Sequence, residues 1–504
     1  MRAADRLPER FNAASFFVGR NVREGGGERV ALVSDEGEMS YAELDLRVRR
    51  FAAALGRAGV HRGERVALLA PDSATLVTGF WGALAAGAVA VPINTMLKSH
   101  DHRTILADCE ARLLVVDEGI ASAEVAPEGT IVWSAEKAEA AMRGGEAAAG
   151  YADTHRDGFA FFLYSSGTTG EPKGVVHLHH DMWVCAETFG AKVLGIRAED
   201  RCFSIAKVFF AYGLGNSVYV PAHVGGAAVM FSGRPVPEAV FEQVHRHRPT
   251  LFFGVPTAYA NMLAAMEGGS RADFSSVRLC VSAGEALPAS LYTRWKERTG
   301  LEILDGIGST EILHIFLCNR AGEVVPGSSG RPVPGYDLRL VDETGQDVPR
   351  GELGDLLVRG DSTMALYWNK HEQTKRVLSG EWIRTGDRYS QDEEGNYFHA
   401  GRSDDMIKSG GIWVSPVEVE GALIAHEDVL ECAVVGCPDA DTLIKPRAFV
   451  VLRPGADARD IEGRLRAFAK ERLAPYKAPR WVEVVSELPK TATGKIQRFL
   501  LRAR

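Results

Sequence analysis

Cysteine is scarce: the 504-residue chain has seven, at 109, 185, 202, 280, 318, 432 and 437, and no C-x-x-C pair. An odd, scattered set argues against a disulfide framework, and reduced thiols in a cytoplasmic protein are expected. A positive net charge is also missing. The formal charge is −8, so nucleic acid is not an expected partner. The opening MRAADRLPERFNAASFF lacks the apolar stretch of a signal peptide. The one long window without charged residues, Ser73 to Leu97, is diluted by Gly79, Gly82, Gly87, Pro92 and several alanines. It is expected to form a buried helix followed by a strand at Ala88–Ile93, so no membrane partner is expected. There is no internal repeat and no low-complexity tract. Also absent are G-x-x-x-x-G-K-[ST], H-E-x-x-H and G-x-S-x-G. Walker P-loop, zinc-protease and α/β-hydrolase readings lose their usual footing with them.

What is present is the composition of a soluble globular enzyme, 46% hydrophobic and 25% charged. A chain this long exceeds one ordinary core, so two or more domains are expected. Apolar runs such as Val30–Ser34, Arg65–Leu69, Leu113–Val116 and Phe159–Tyr164 alternate with helical patterns such as Tyr41, Leu44, Val48, Phe51 and Leu55. That alternation predicts α/β architecture with mainly parallel sheets. After Gly330, short strands at Asp337–Val341, Asp355–Arg359 and Tyr397–Ala400 predict a β-rich subdomain. From about residue 402 a compact unit of about 100 residues begins, a plausible size for a small α+β domain. The expected division is therefore 1–401 and 402–504. From Gly401 onward Lys and Arg number 17 against 15 Asp and Glu, whereas the rest of the chain has 41 against 51. A relatively basic tail suits a polyanionic ligand, and a solvated surface explains it as well.

Several short runs carry chemistry. Ser165–Gly174 follows a strand and offers backbone N–H groups and hydroxyls to phosphate oxygens, with Lys173 as counter-charge. Asp305-Gly306-Ile307-Gly308-Ser309-Thr310-Glu311 joins glycines to a hydroxyl and a carboxylate able to hold Mg²⁺. Thr385-Gly386-Asp387 places a carboxylate at a turn, suited to ribose hydroxyls. Pro489-Lys490-Thr491-Ala492-Thr493-Gly494-Lys495 is a turn ending in a single lysine. Each alone is as well explained by an ordinary loop. His177, His179 and His180 invite a zinc reading but lack a matched second ligand pair, so packing or hydrogen-bonding histidines are expected.

Taken together and in order, SSGTTGEPKG, SAGEALP, GIGSTE, TGD, GRSDDMIKSGG and PKTATGK resemble the adenylate-forming acyl-CoA ligase family over nearly the whole chain. The resemblance implies ATP, Mg²⁺ and coenzyme A as the small molecules bound, together with an aryl carboxylate. It implies that Thr168, Thr169 and Lys173 form a phosphate loop. Gly284, Glu285 and Ala286, with Asp305, Gly306, Ile307 and Gly308, match the nucleotide-binding segments. Thr310 matches an α-phosphate contact, Glu311 a Mg²⁺ ligand, Asp387 and Arg402 ribose contacts, and Lys495 the adenylation lysine. Asp404 matches the hinge of a small mobile C-terminal domain. Lys408, Ser409, Gly410 and Gly411 would then face a pantetheine tunnel, and Lys445, Arg447, Lys477 and Arg480 are candidates for the phosphates of coenzyme A.

The segment Lys207–Asn216 with Gly308–Phe316 resembles the benzoate-CoA ligase branch. Phe210 and Tyr212 alternate with Ala211 and Gly213, and Gly306 and Gly308 add small positions. The expectation is a short flat slot for a ring, with His314 near it. The rival readings are an aryl-adenylating enzyme that loads a carrier-protein thiol, a medium-chain or alicyclic acid ligase, and a non-catalytic nucleotide-binding regulator. A homodimer is left open.

Overall fold

A computed structural model describes residues 3–166, 172–403, 405–409, 412–439, 444–457, 459–490 and 496–502. Local rules explain how its elements begin. Ser40 caps the helix Tyr41–Arg57 by accepting the Glu43 N–H at 3.2 Å, a contact of the kind that stabilises by about 1 kcal/mol. The helix buries Tyr41, Leu44, Val48, Phe51 and Leu55 against the helix Ala74–Ala85. That second helix is buried on every side from Leu76 to Ala85, as an apolar helix inside a large core should be. It accounts for the uncharged window, and no helix of the described residues is long and apolar enough to cross a membrane.

The described residues of the large N-terminal part form two mixed sheets and a β-rich one. The first sheet runs Leu366–Tyr367, Pro172–Leu178, Phe159–Ser166, Val89–Pro92, Arg65–Leu69, Ala111–Val116, Ile131–Ser134. Its interior pairs are parallel, and the pairing turns antiparallel at the Phe159–Ser166/Pro172–Leu178 hairpin. The second runs Arg331–Pro332, Ile315–Cys318, Ile303–Gly308, Leu279–Ser282, Leu251–Gly254, Arg201–Ser204, Ala227–Val229, Val30–Ser34, Gly37–Ser40. It too is parallel inside and antiparallel at both ends. The third joins Asp337–Val341, Gly354–Arg359, Trp382–Gln391, Leu378–Ser379 and Tyr397–Arg402, all antiparallel. The architecture is thus α/β with a β-rich third sheet.

The C-terminal part is smaller. Val429–Pro438, Ile444–Leu452 and Trp481–Val484 form a sheet covered by the helices Pro416–Ile424 and Ile461–Arg472. Its buried apolar residues, from Ile407 to Leu501, pack among themselves. All seven cysteines are buried and free. One local expectation shifts. Lys207–Asn216 leads into helix at Ala211–Leu214 and Gly215–Tyr219, which matters below.

Candidate active site

The antiparallel hairpin sets Ser165 opposite Lys173 and Tyr164 opposite Gly174. Thr168 and Thr169, in the connection between its strands, lie outside the described residues. The Lys173 ammonium stands 5.4 Å from the centre of the Tyr367 ring, and the Tyr367 hydroxyl donates to Glu311 Oε1 at 2.7 Å. Burial, then the Glu311 charge, raises the Tyr367 pKa, so the phenol remains a donor, while the Arg402 charge lowers it. Arg402 faces Asp387 across the pairing of Trp382–Gln391 with Tyr397–Arg402. Its Nη1 lies 3.3 Å from Asp387 Oδ1 and donates to the Thr385 carbonyl at 3.0 Å. Gly386 has φ 75°, and a Cβ there would come within 2.7 Å of Arg402 Nη2. Only glycine suits this turn with the guanidinium lying across it.

The strand Ile303–Gly308 delivers Thr310 and Glu311 in a short turn, and the Glu311 carbonyl accepts Met364 N–H at 2.7 Å. Gly284 turns the neighbouring segment with φ 97°. Beneath it, the buried Asp305 carboxylate accepts Leu287 N–H at 3.3 Å, and burial raises its pKa well above the usual range. Asp305 thus supports the Gly284–Leu287 segment from inside the protein. Glu285, on that segment, is one of the charges that raise the Arg498 pKa; Glu420 has the largest effect.

The ring slot differs from the expectation in one respect. Phe210–Gly213 reads as an alternation, but the chain is helical from Ala211 onward. A 3.6-residue period puts Tyr212, Gly215 and Tyr219 on one face. His314 sits there with ring centres 5.0 Å from Phe189, 5.8 Å from Tyr212 and 6.1 Å from Tyr219. A Cβ at Gly215 would meet His314 Cδ2 at 2.2 Å, so the glycine that makes room for the ring is Gly215. The smallness of Gly213 is needed instead by the Lys207 carbonyl, 2.0 Å from a Cβ built there. Gly306 and Gly308 give way likewise to the adjacent strand, with the Leu317 carbonyl at 2.7 Å and the His314 carbonyl at 2.6 Å. Ala211 is buried, and Phe210, half-buried, stacks edge-on against Phe209 at 4.5 Å. Burial holds the His314 pKa down to about 3, so its imidazole is neutral at pH 7. The Tyr212 hydroxyl donates to the Val281 carbonyl at 3.3 Å, tying this face to the strand that leads to Gly284.

On the C-terminal part, Ser409 is buried and Lys408 lies beside it on the strand Ile407–Ser409. Lys477 is bound to Glu418 at 2.6 Å, and Arg447 to Glu483. Two of the cations expected for coenzyme A therefore hold carboxylates, while Lys445 lies on the strand Ile444–Leu452 opposite Cys437. Lys495, Asp404, Gly410 and Gly411 lie outside the described residues. Arg498, three residues beyond Lys495, is bidentate on Glu420 at 2.9 Å and 3.8 Å from Asp405.

Among the described residues no group of three or more His, Cys, Asp or Glu could cage a metal. Mg²⁺ needs no such cage, since it keeps waters and shares substrate phosphates. Glu311, oriented by Tyr367 through Oε1, fits as its single protein carboxylate. Sequence reasoning missed Tyr367 and Gly215. The helical spacing of Tyr212, Gly215 and Tyr219 would have found the second, and no local pattern marks the first.

The AMP-binding enzyme family model matches residues 19–368, and that of the AMP-binding enzyme C-terminal domain matches residues 418–495. The chain is 48% identical to benzoate–CoA ligase of Thauera aromatica, covering 99% of this chain and 97% of that protein. It is 43% identical to 4-hydroxybenzoate–CoA/benzoate–CoA ligase of Rhodopseudomonas palustris, covering 98% and 94%. Its structure matches anthranilate CoA ligase AuaEII in complex with anthranoyl-AMP with a TM-score of 0.95 at 44% identity, covering 99% and 98%. It matches a benzoate CoA ligase from Burkholderia xenovorans LB400 with a TM-score of 0.91 at 46% identity, covering 98% and 100%.

Proposed function

The chain belongs to the AMP-binding enzyme family, and from that premise we infer an ATP-dependent aryl-CoA ligase that joins a benzoate-type acid to coenzyme A and releases AMP and pyrophosphate. The observation that carries the reading is the near-full-length likeness to benzoate–CoA ligases. The contacts of Tyr367 with Lys173 and Glu311, and of Arg402 with Asp387, support it.

An aryl carboxylate is ionised at neutral pH, so attack on the α-phosphorus needs no general base. Its oxygen forms the acyl–phosphate bond as the bond to pyrophosphate breaks. The task left to the protein is to bring two anions together and stabilise charge on the phosphoryl oxygens, by position and electrostatics. In this reading Lys173, with Thr168 and Thr169, holds the β- and γ-phosphates. Gly284–Ala286 and Gly306–Ile307 flank the adenine, and Asp387 and Arg402 take the ribose. The Thr310 hydroxyl and the Lys495 ammonium meet the α-phosphate. When bound, Mg²⁺ is held by Glu311 and supplies neutralising charge to the phosphates. His314, Tyr212 and Gly215 shape the ring slot, where a neutral imidazole avoids placing a buried cation against an apolar ring. The coenzyme A sulfur then attacks the acyl carbon and AMP leaves.

Between the two steps the small domain, residues 402–504, turns about Asp404. It withdraws Lys495 and brings Lys408–Gly411 to the thiol channel. Lys477 and Arg447 must exchange their carboxylates for phosphates if they serve there. The test is pyrophosphate release from ATP across benzoate, its 2-amino, 3-hydroxy and 4-hydroxy forms, and hexanoate, each with coenzyme A or a carrier protein as acceptor. Benzoate-type acids with coenzyme A are expected to dominate; preference for hexanoate or for the carrier overturns the reading.

A further inference from the structure

The histidine run beyond the phosphate hairpin has no part in the chemistry so far. His177 is fully buried, as is Asp181, four residues on. Its Nδ1 lies 2.7 Å from Asp181 Oδ2 and its Nε2 lies 2.8 Å from the Thr310 carbonyl. A carbonyl only accepts, so Nε2 carries hydrogen. Asp181 Oδ2 also accepts Leu178 N–H at 3.0 Å, so the carboxylate that orients the ring is itself held by the backbone. Phe161 stacks on the imidazole at 5.2 Å and 18°. His180 is engaged similarly, with the Arg156 carbonyl at 3.1 Å and the Asp361 carbonyl at 3.0 Å. By contrast, His179 accepts Ala13 N–H at Nδ1.

The carbonyl that His177 holds belongs to a clamped turn. The next two carbonyls are also held, Glu311 by Met364 N–H at 2.7 Å and Ile312 by Ser362 Oγ at 2.8 Å. Leu313 follows with φ 72° and ψ −43°, a conformation that a residue with a side chain keeps only under constraint. Three successive carbonyls are thus fixed by donors from two other places in the chain, His177 and the Ser362–Met364 segment.

We propose that His177, oriented by Asp181, is a positioning residue for the adenylation step: its Nε2–H fixes the Thr310 carbonyl and thereby aims the Thr310 hydroxyl and Glu311 carboxylate. This rests on the reading that these two side chains meet ATP and Mg²⁺. In H177F the ring stacking survives and both hydrogen bonds are lost. Adenylation is expected to fall about 100-fold, the size of one lost transition-state donor. The Mg²⁺ needed for half-maximal rate should rise, while thioester formation from supplied benzoyl-adenylate stays at the wild-type rate. D181N, isosteric but unable to carry charge, should show an intermediate loss, and it decides the matter should H177F not fold. In ¹⁵N spectra of histidine-labelled wild type, His177 Nε2 should carry hydrogen. A pyridine-type Nε2 overturns the proposal. So does wild-type adenylation and Mg²⁺ dependence in folded H177F or D181N while E311Q is inactive. If E311Q is fully active as well, the nucleotide reading itself falls.

Discussion

In the proposed reaction Lys495 is the residue with the most to do. A single ammonium beside the α-phosphate would replace water where charge grows, and such a group is worth far more there than in solvent. Lys495→Ala is expected to slow adenylation by about 10²–10³-fold and to spare thioester formation from preformed benzoyl-adenylate. Comparing the two half-reactions checks it, and an equal loss in both argues against withdrawal of the lysine between steps. Arg402 and Asp387 make the complementary point: their mutual contact at 3.3 Å keeps an exposed guanidinium and a buried carboxylate in place for the ribose of the proposed nucleotide.

Elements determine which residues face the ring. The segment from Ala211 to Tyr219 is wound as helix, and Gly215 lies under His314 with no space for even a methyl group. Gly215→Ala should push the His314 ring towards the slot. The expected result is a KM for benzoate raised about tenfold or more, equivalent to roughly 1.4 kcal/mol of lost binding, with the KM for ATP little changed. Unaltered benzoate kinetics in a folded variant would show that this face of the helix does not border the acid. The hairpin and the Thr310–Ile312 turn act in the same way at the nucleotide end, each bringing a short motif to a common phenol.

At the scale of the whole molecule, acid stability and domain motion are the observable consequences. Burial lowers the pKa of His179 to about 3, of His223 to about 4 and of His314 to about 3. Each contributes stability that is present above the unfolded value of 6.5 and lost as pH falls, because the unfolded chain takes up a proton that the folded chain refuses. The loss is about 1.4 kcal/mol per pH unit for each ring. Replacing His314 by Phe should therefore flatten the fall of the unfolding midpoint between pH 6 and 4.5, and an unchanged slope would contradict its burial as a neutral base. For the motion, Asp404→Pro restricts φ at the proposed hinge. Thioester formation is expected to fall by more than tenfold while adenylation holds; parallel losses would place the pivot elsewhere.

Apolar periodicity and the order of six short motifs were enough, read from the chain alone, to identify an α/β adenylate-forming architecture, because both signals are local: a repeat of two or 3.6 residues, or a glycine next to a hydroxyl and a charge. The alternation read at Phe210–Gly213 failed for the same reason, since four residues do not distinguish a strand from a first helical turn. Only the folded chain could decide that Tyr367 holds Glu311 across 56 residues, that His177 holds the Thr310 carbonyl across 133, and that Lys477 and Arg447 are engaged by carboxylates. Such contacts depend on how sheets and loops distant in sequence pack and register, and no short window of residues contains that information.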